Sequence, residues 1–171
     1  MTTLTDSHTN SFSWLRCRNF DDVGDMVGPN LQGYARKHGY TFVDNSALLD
    51  NSRPPAWSKI HAVQHMFAEH NCEWVLWMDA DTVVMNSSIT LESLIPQDRN
   101  VDLIVTPDKA FTVSSGVWLI RNSEWSRKFL KDWWNMRSLV RPKGISLSGD
   151  NNAFGHVVRR RLGIGLTPSD A

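Results

Sequence analysis

The strongest constraint on this chain is the run Glu73-Trp74-Val75-Leu76-Trp77-Met78, apolar from Trp74 onward, which stops at Asp79-Ala80-Asp81. A continuous apolar run without alternation belongs to a strand covered on both faces. Two similar runs follow: 101–106 ends at Pro107-Asp108, and Gly116-Val117-Trp118-Leu119-Ile120 ends at Arg121-Asn122. Strands of this kind need helices to cover them.

Helical spacing is present around them. Leu31, Tyr34, Ala35 and His38 recur at helical intervals after Pro29, and Gly39 supplies a stop before a short strand Tyr40-Thr41-Phe42-Val43. The stretch 44–55 reads as loop. Ile60, Val63, Met66 and Phe67 mark one face of a helix over about 57–70. Asn122 or Ser123 can cap a helix with Trp125, Phe129 and Trp133 four apart, and another begins near Gly149-Asp150 with Ala153, Phe154, Val157 and Val158 inward. Arg159-Arg160-Arg161 then reads as a solvated face. Strands alternating with helices predict an α/β fold. Residues 1–28 show neither period nor convincing strand and are expected to form a poorly ordered lead-in to a domain over 29–171.

Composition narrows the partners. Lys plus Arg and Asp plus Glu number 18 each, so no positive field gathers nucleic acid, and none is expected as a partner. No run of 18 apolar residues exists and the start lacks a signal-peptide layout. Cys17 and Cys72 are too few for a disulfide framework. The eight tryptophans read first as core and helix-face packing.

An α/β sheet binds ligands beyond the carboxyl ends of its strands, where Asp79 stands. Two carboxylates one residue apart, leaving a buried strand, can both reach a single hard cation, Mg²⁺ or Mn²⁺. Such a cation keeps positions open for phosphate oxygens and can neutralise a diphosphate leaving group. The competing reading makes Asp79 and Asp81 turn caps.

Five segments, in order, resemble glycosyltransferase family 34, the galactosyl, xylosyl and mannosyl transferases with a GT-A fold. They are Tyr34-Ala35-Arg36-Lys37-His38-Gly39-Tyr40, Trp57-Ser58-Lys59-Ile60, the 74–81 run, the stretch 114–126 beginning Ser114-Ser115-Gly116, and Gly149-Asp150-Asn151-Asn152-Ala153. The resemblance implies a GT-A (Rossmann-like) mixed sheet flanked by helices, incomplete at both ends. It implies Mn²⁺ (or Mg²⁺) on Asp79 and Asp81, and Lys59 near the donor diphosphate. Ser114, Ser115 and Gly116 fall in a donor-contacting stretch, although Ser114 stands where the family often has asparagine. Gly116 would let backbone approach a ligand closely. Asp150 and Asn151 fall at the transferred sugar, where the bland role of Asp150 is a helix cap.

The expected activity is transfer of a hexosyl or pentosyl group from a nucleoside-diphosphate sugar, a UDP-sugar rather than GDP-mannose, to a glycan acceptor. Relatives carry a membrane anchor and a Golgi-lumenal address, a first nucleotide-binding strand before the Tyr34 helix, and a later histidine that completes the metal site. His156 lies too close to Asp150 to be that histidine, and no anchor is visible in this chain. Two alternatives use the same residues. A haloacid-dehalogenase-like phosphatase would make Asp79 a nucleophile and Asp81 an acid/base. A non-catalytic remnant would bind sugar nucleotide without turnover.

Overall fold

The computed structural model describes residues 2–3, 23–98, 100–108, 112–142 and 148–163. Its strands are β1 (Thr2–Thr3), β2 (Val43–Asp44), β3 (Trp74–Met78), β4 (Leu103–Asp108) and β5 (Thr112–Arg121). The helices are α1 (Val23–His38), α2 (Lys59–Glu69), α3 (Glu124–Trp134) and α4 (Asp150–Arg161). The sheet runs in the order β2-β1-β3-β5-β4. It is mixed: β1 lies parallel to β2 and β3, whereas β5 is antiparallel to both β3 and β4.

Strand β3 is covered on both sides, as its uninterrupted apolar run requires. Val75 and Trp77 enter a large cluster built with α2, α3 and α4, while Leu76 and Met78 face Leu31 and Tyr34 of α1. Strand β5 divides the same way, with Trp118 and Ile120 on the large side and Leu119 on the other. The result is three layers with β3 in the middle. Pro107 lies in β4, at the edge of the sheet, where proline is tolerated.

Four expectations are corrected. Thr2–Thr3 is a strand, and it sits between β2 and β3 rather than in an unstructured lead-in. Two residues carry no period, so the pattern cannot reveal it. Helix α1 begins at Val23, so a boundary at 28/29 falls inside it and Pro29 is an interior residue. The run after Gly39 contributes only Val43–Asp44 to the sheet; Gly39 (φ 71°) and the Tyr40 N–H to Ala35 carbonyl bond of 2.8 Å do end α1 as expected. Finally, β4 and β5 pair directly as antiparallel neighbours, with no helix between them, so strands and helices do not alternate throughout. Residues 1 and 4–22, including Cys17, lie outside the described residues, and Cys72 is a free thiol. Among the described residues no helix is long and apolar enough to cross a membrane.

Candidate active site

Four elements converge at the carboxyl end of β3. The strand delivers Asp79, whose N–H still pairs with the Gly116 carbonyl of β5 at 2.8 Å, and the chain then turns as the Thr82 N–H and hydroxyl both donate to the Asp79 carbonyl. Helix α2 begins at Lys59, which the 3-10 turn Pro55–Ser58 holds against the sheet. Strand β5 brings Ser114, Ser115 and Gly116. Helix α4 opens with Asp150 and Asn151.

Lys59 is the hub. Its side chain is only 2% exposed, and its ammonium donates to Asp79 Oδ1 at 2.9 Å and to the Ser115 carbonyl at 3.2 Å while standing 3.1 Å from Asp150 Oδ2. Three donors meet three acceptors. Burial works against the ammonium, but the carboxylates of Asp150 and then Asp79 outweigh it and raise the lysine's pKa. Burial likewise acts to push Asp150 up, yet Lys59 and the hydroxyls of Ser148 and Ser115 hold its carboxyl below the usual range. The core of the site is therefore one fixed cation between two carboxylates, with a net charge of −1.

Ser115 ties the strand to α4. Its N–H donates to Asn151 Oδ1 at 2.6 Å and its hydroxyl to Asp150 Oδ2 at 3.0 Å. Asp150 Oδ1 takes the Ser148 hydroxyl. Gly149 occupies the cap position of α4 with φ 85°, and no side chain caps that end, so Asp150 is not the helix cap. Gly149 has to be glycine on two counts: its φ is in the left-handed region, and a Cβ there would stand 1.8 Å from the Leu139 carbonyl.

Of the residues singled out in the sequence, Lys59, Asp79, Ser115, Asp150 and Asn151 form one bonded network. Gly116 borders it, and a Cβ built there would lie 3.2 Å from Asp79 Oδ2. Ser114 turns inward on the backbone, its hydroxyl accepting the Gly116 N–H at 3.1 Å. Asp81 stands apart, exposed and without an ion pair among the described residues. Lys59 is no surface lysine, and all its donors are committed to protein. Asp79 Oδ2 and the Asp81 carboxylate are hard oxygen donors of the kind Mg²⁺ and Mn²⁺ take, and they would fill only part of such an ion's shell.

The tryptophans do more than fill the core. Indole N–H groups of Trp57, Trp77, Trp118 and Trp133 donate to the Ser148 carbonyl, Asp79 Oδ1, the Ser115 carbonyl and the Asp150 carbonyl at 2.9, 2.8, 2.9 and 3.0 Å. All four rings are buried. A signal existed, because a buried indole needs an acceptor for its N–H and Trp77 lies two residues from Asp79 on one strand face. Arg53 falls in the loop 44–55, where the sequence marks no role for it; its guanidinium lies 3.6 Å above the Trp134 ring and donates to the Trp134 carbonyl, joining that loop to the end of α3.

Residues 16–112 match the model of the galactosyl transferase GMA12/MNN10 family. Among curated proteins, the chain is 32% identical over 113 residues to xyloglucan 6-xylosyltransferase 4 of Arabidopsis thaliana, covering 61% of this chain and 22% of that protein. It is 30% identical over 132 residues to galactomannan galactosyltransferase 1 of Cyamopsis tetragonoloba, covering 71% and 30%. The chain spans about a quarter of the length of the curated relatives it matches. Among solved structures, it is similar in fold to a glycosyltransferase involved in the glycosylation of the major capsid of PBCV-1, with a TM-score of 0.63, 19% identity and coverage of 83% of this chain and 74% of that one.

Proposed function

Since the chain belongs to the galactosyl transferase GMA12/MNN10 family, we propose that it moves a hexosyl or pentosyl group from a nucleoside-diphosphate sugar to a glycan acceptor, with Asp79 and Asp81 holding Mn²⁺ or Mg²⁺. The observation that carries this reading is Lys59, buried between Asp79 and Asp150 at the end of a central strand. That cluster carries net negative charge, and Asp81 adds to it. A diphosphate brought there alone meets like charge, whereas one brought with a divalent cation meets carboxylate oxygens that attract the cation. Bound there, the cation would offset the charge that develops on the departing diphosphate.

The chain's own residues do the rest. Lys59 fixes both carboxylates in place and supplies a positive charge that needs no reorganisation during the reaction. Asp150, held ionised by Lys59 and two serine hydroxyls, places a fixed carboxylate toward a sugar carbon that becomes cationic as its bond to phosphate breaks. Asn151 commits its Oδ1 to Ser115 and keeps its amide N–H groups for a sugar hydroxyl. The donor we propose is a UDP-sugar rather than GDP-mannose, a reading supported by relatives named for xylosyl and galactosyl transfer. The phosphatase reading of the same corner is set aside by the family membership.

Calorimetry with UDP tests the assignment. Binding is expected with Mn²⁺ present and not with a chelator, and Asp79→Asn or Asp81→Asn is expected to abolish the Mn²⁺-dependent part while circular dichroism stays unchanged. Equal UDP affinity in both variants overturns the metal assignment.

A further inference from the structure

We infer that Trp77 is a positioning residue that makes Asp79 a one-oxygen ligand. The inference rests on the metal reading above and deepens it. The indole N–H of Trp77 and the ammonium of Lys59 both donate to the same oxygen, Asp79 Oδ1, at 2.8 and 2.9 Å. Among the described residues no donor reaches Oδ2. The two oxygens of one carboxylate are thereby made unequal: Oδ1 is satisfied by protein, and Oδ2 is left for a ligand.

The arrangement is rigid for reasons visible in the fold. Trp77 and Asp79 leave the strand on the same face, so the indole reaches along the strand to the carboxylate. The ring is 2% exposed and faces Trp118 with centroids 6.5 Å apart, so it is enclosed by the core. On the other side, the missing side chain of Gly116 leaves room beside Oδ2; a Cβ there would stand 3.2 Å from Oδ2 and 3.3 Å from Ser114 Oγ. A carboxylate limited to one oxygen suits a small octahedral ion and disfavours Ca²⁺, which takes more oxygens at longer range and often takes a carboxylate by both.

The experiment titrates Mn²⁺, Mg²⁺ and Ca²⁺ into the whole chain with UDP present, following Mn²⁺ by the electron paramagnetic resonance of the free ion and the others by calorimetry. Wild type is expected to prefer Mn²⁺ to Ca²⁺. Trp77→Phe is expected to narrow that preference by about tenfold, the size of a lost outer-shell partner. Gly116→Ala, whose Cβ pushes on Oδ2, is expected to weaken Mn²⁺ by about tenfold with circular dichroism unchanged. An unchanged Mn²⁺-to-Ca²⁺ ratio in folded Trp77→Phe overturns the inference and leaves the metal site standing. If Trp77→Phe does not fold, unchanged Mn²⁺ affinity in Gly116→Ala overturns it. Wild type that binds no Mn²⁺ overturns the metal reading and this inference together.

Discussion

A lysine buried between two carboxylates makes a charge cluster in which removing the lysine leaves both carboxylates without their cation, and removing Asp150 leaves the ammonium only the more exposed Asp79. Lys59→Met leaves Asp150 in a dry site without its cation, and breaking a buried pair in this way costs about 3–5 kcal/mol. The pH dependence follows from the directions of the shifts. Asp150, with its pKa lowered from 3.8, contributes stability above that value and loses it as pH falls through its folded value. Lys59, raised from 10.5, contributes below that value and loses it only as pH rises through its folded value. Without Lys59, burial dominates at Asp150 and lifts its pKa, so urea denaturation across pH should show acid unfolding of Lys59→Met starting at higher pH than in wild type. Asp150→Asn tests the same cluster from the other side. A cap would tolerate asparagine, but Asp150 compensates a buried ammonium, so the variant should lose on the order of 2 kcal/mol in urea titration as well as transfer activity.

At the level of elements, the start of α4 is decided by Gly149. Alanine there would meet the Leu139 carbonyl and would have to hold a positive φ, so Gly149→Ala should destabilise by more than about 2 kcal/mol and shift Asp150 and Asn151 away from Ser115. Helix α3 offers the control. Ser123 caps it by accepting the Ser126 N–H, and Ser123→Ala should cost about 1 kcal/mol in thermal melting while UDP affinity stays unchanged, because the α3 residue that reaches the site, Trp133, lies at the other end of the helix from the cap. That cap was legible, as were the inward faces of α2, α3 and α4, since a helix writes its buried side at a fixed interval. The arginine run at the end of α4 was legible only in part: Arg160 is exposed, but Arg161 pairs with Asp132 of α3 and lies over Trp125.

Across the whole molecule the two layers flanking the sheet are unequal. One side packs α2, α3 and α4 into a single cluster, while among the described helices the other has only α1, whose Leu31 and Tyr34 meet Leu76, Met78 and Leu119. Pro29 also deprives α1 of one helical hydrogen bond. Native-state hydrogen exchange should therefore show α1 opening at lower free energy than α2 or β3; equal protection would mean that the layers open as one unit. The sequence by itself determined β3, the faces of α2, α3 and α4, and the membership of Lys59, Asp79, Ser115, Asp150 and Asn151 among the residues singled out, though not Ser148 or the indoles that join them. Burial period, capping side chains and five ordered motifs are all local properties of the chain. Only the tertiary structure decided how those residues are joined: that Lys59 is buried between Asp79 and Asp150, that Asp150 faces Lys59 rather than capping its helix, that four indoles brace the site, and that Thr2–Thr3 lies between β2 and β3. Each of these is a pairing between residues distant in the chain, or a strand too short to show a period, and spacing along the sequence records neither.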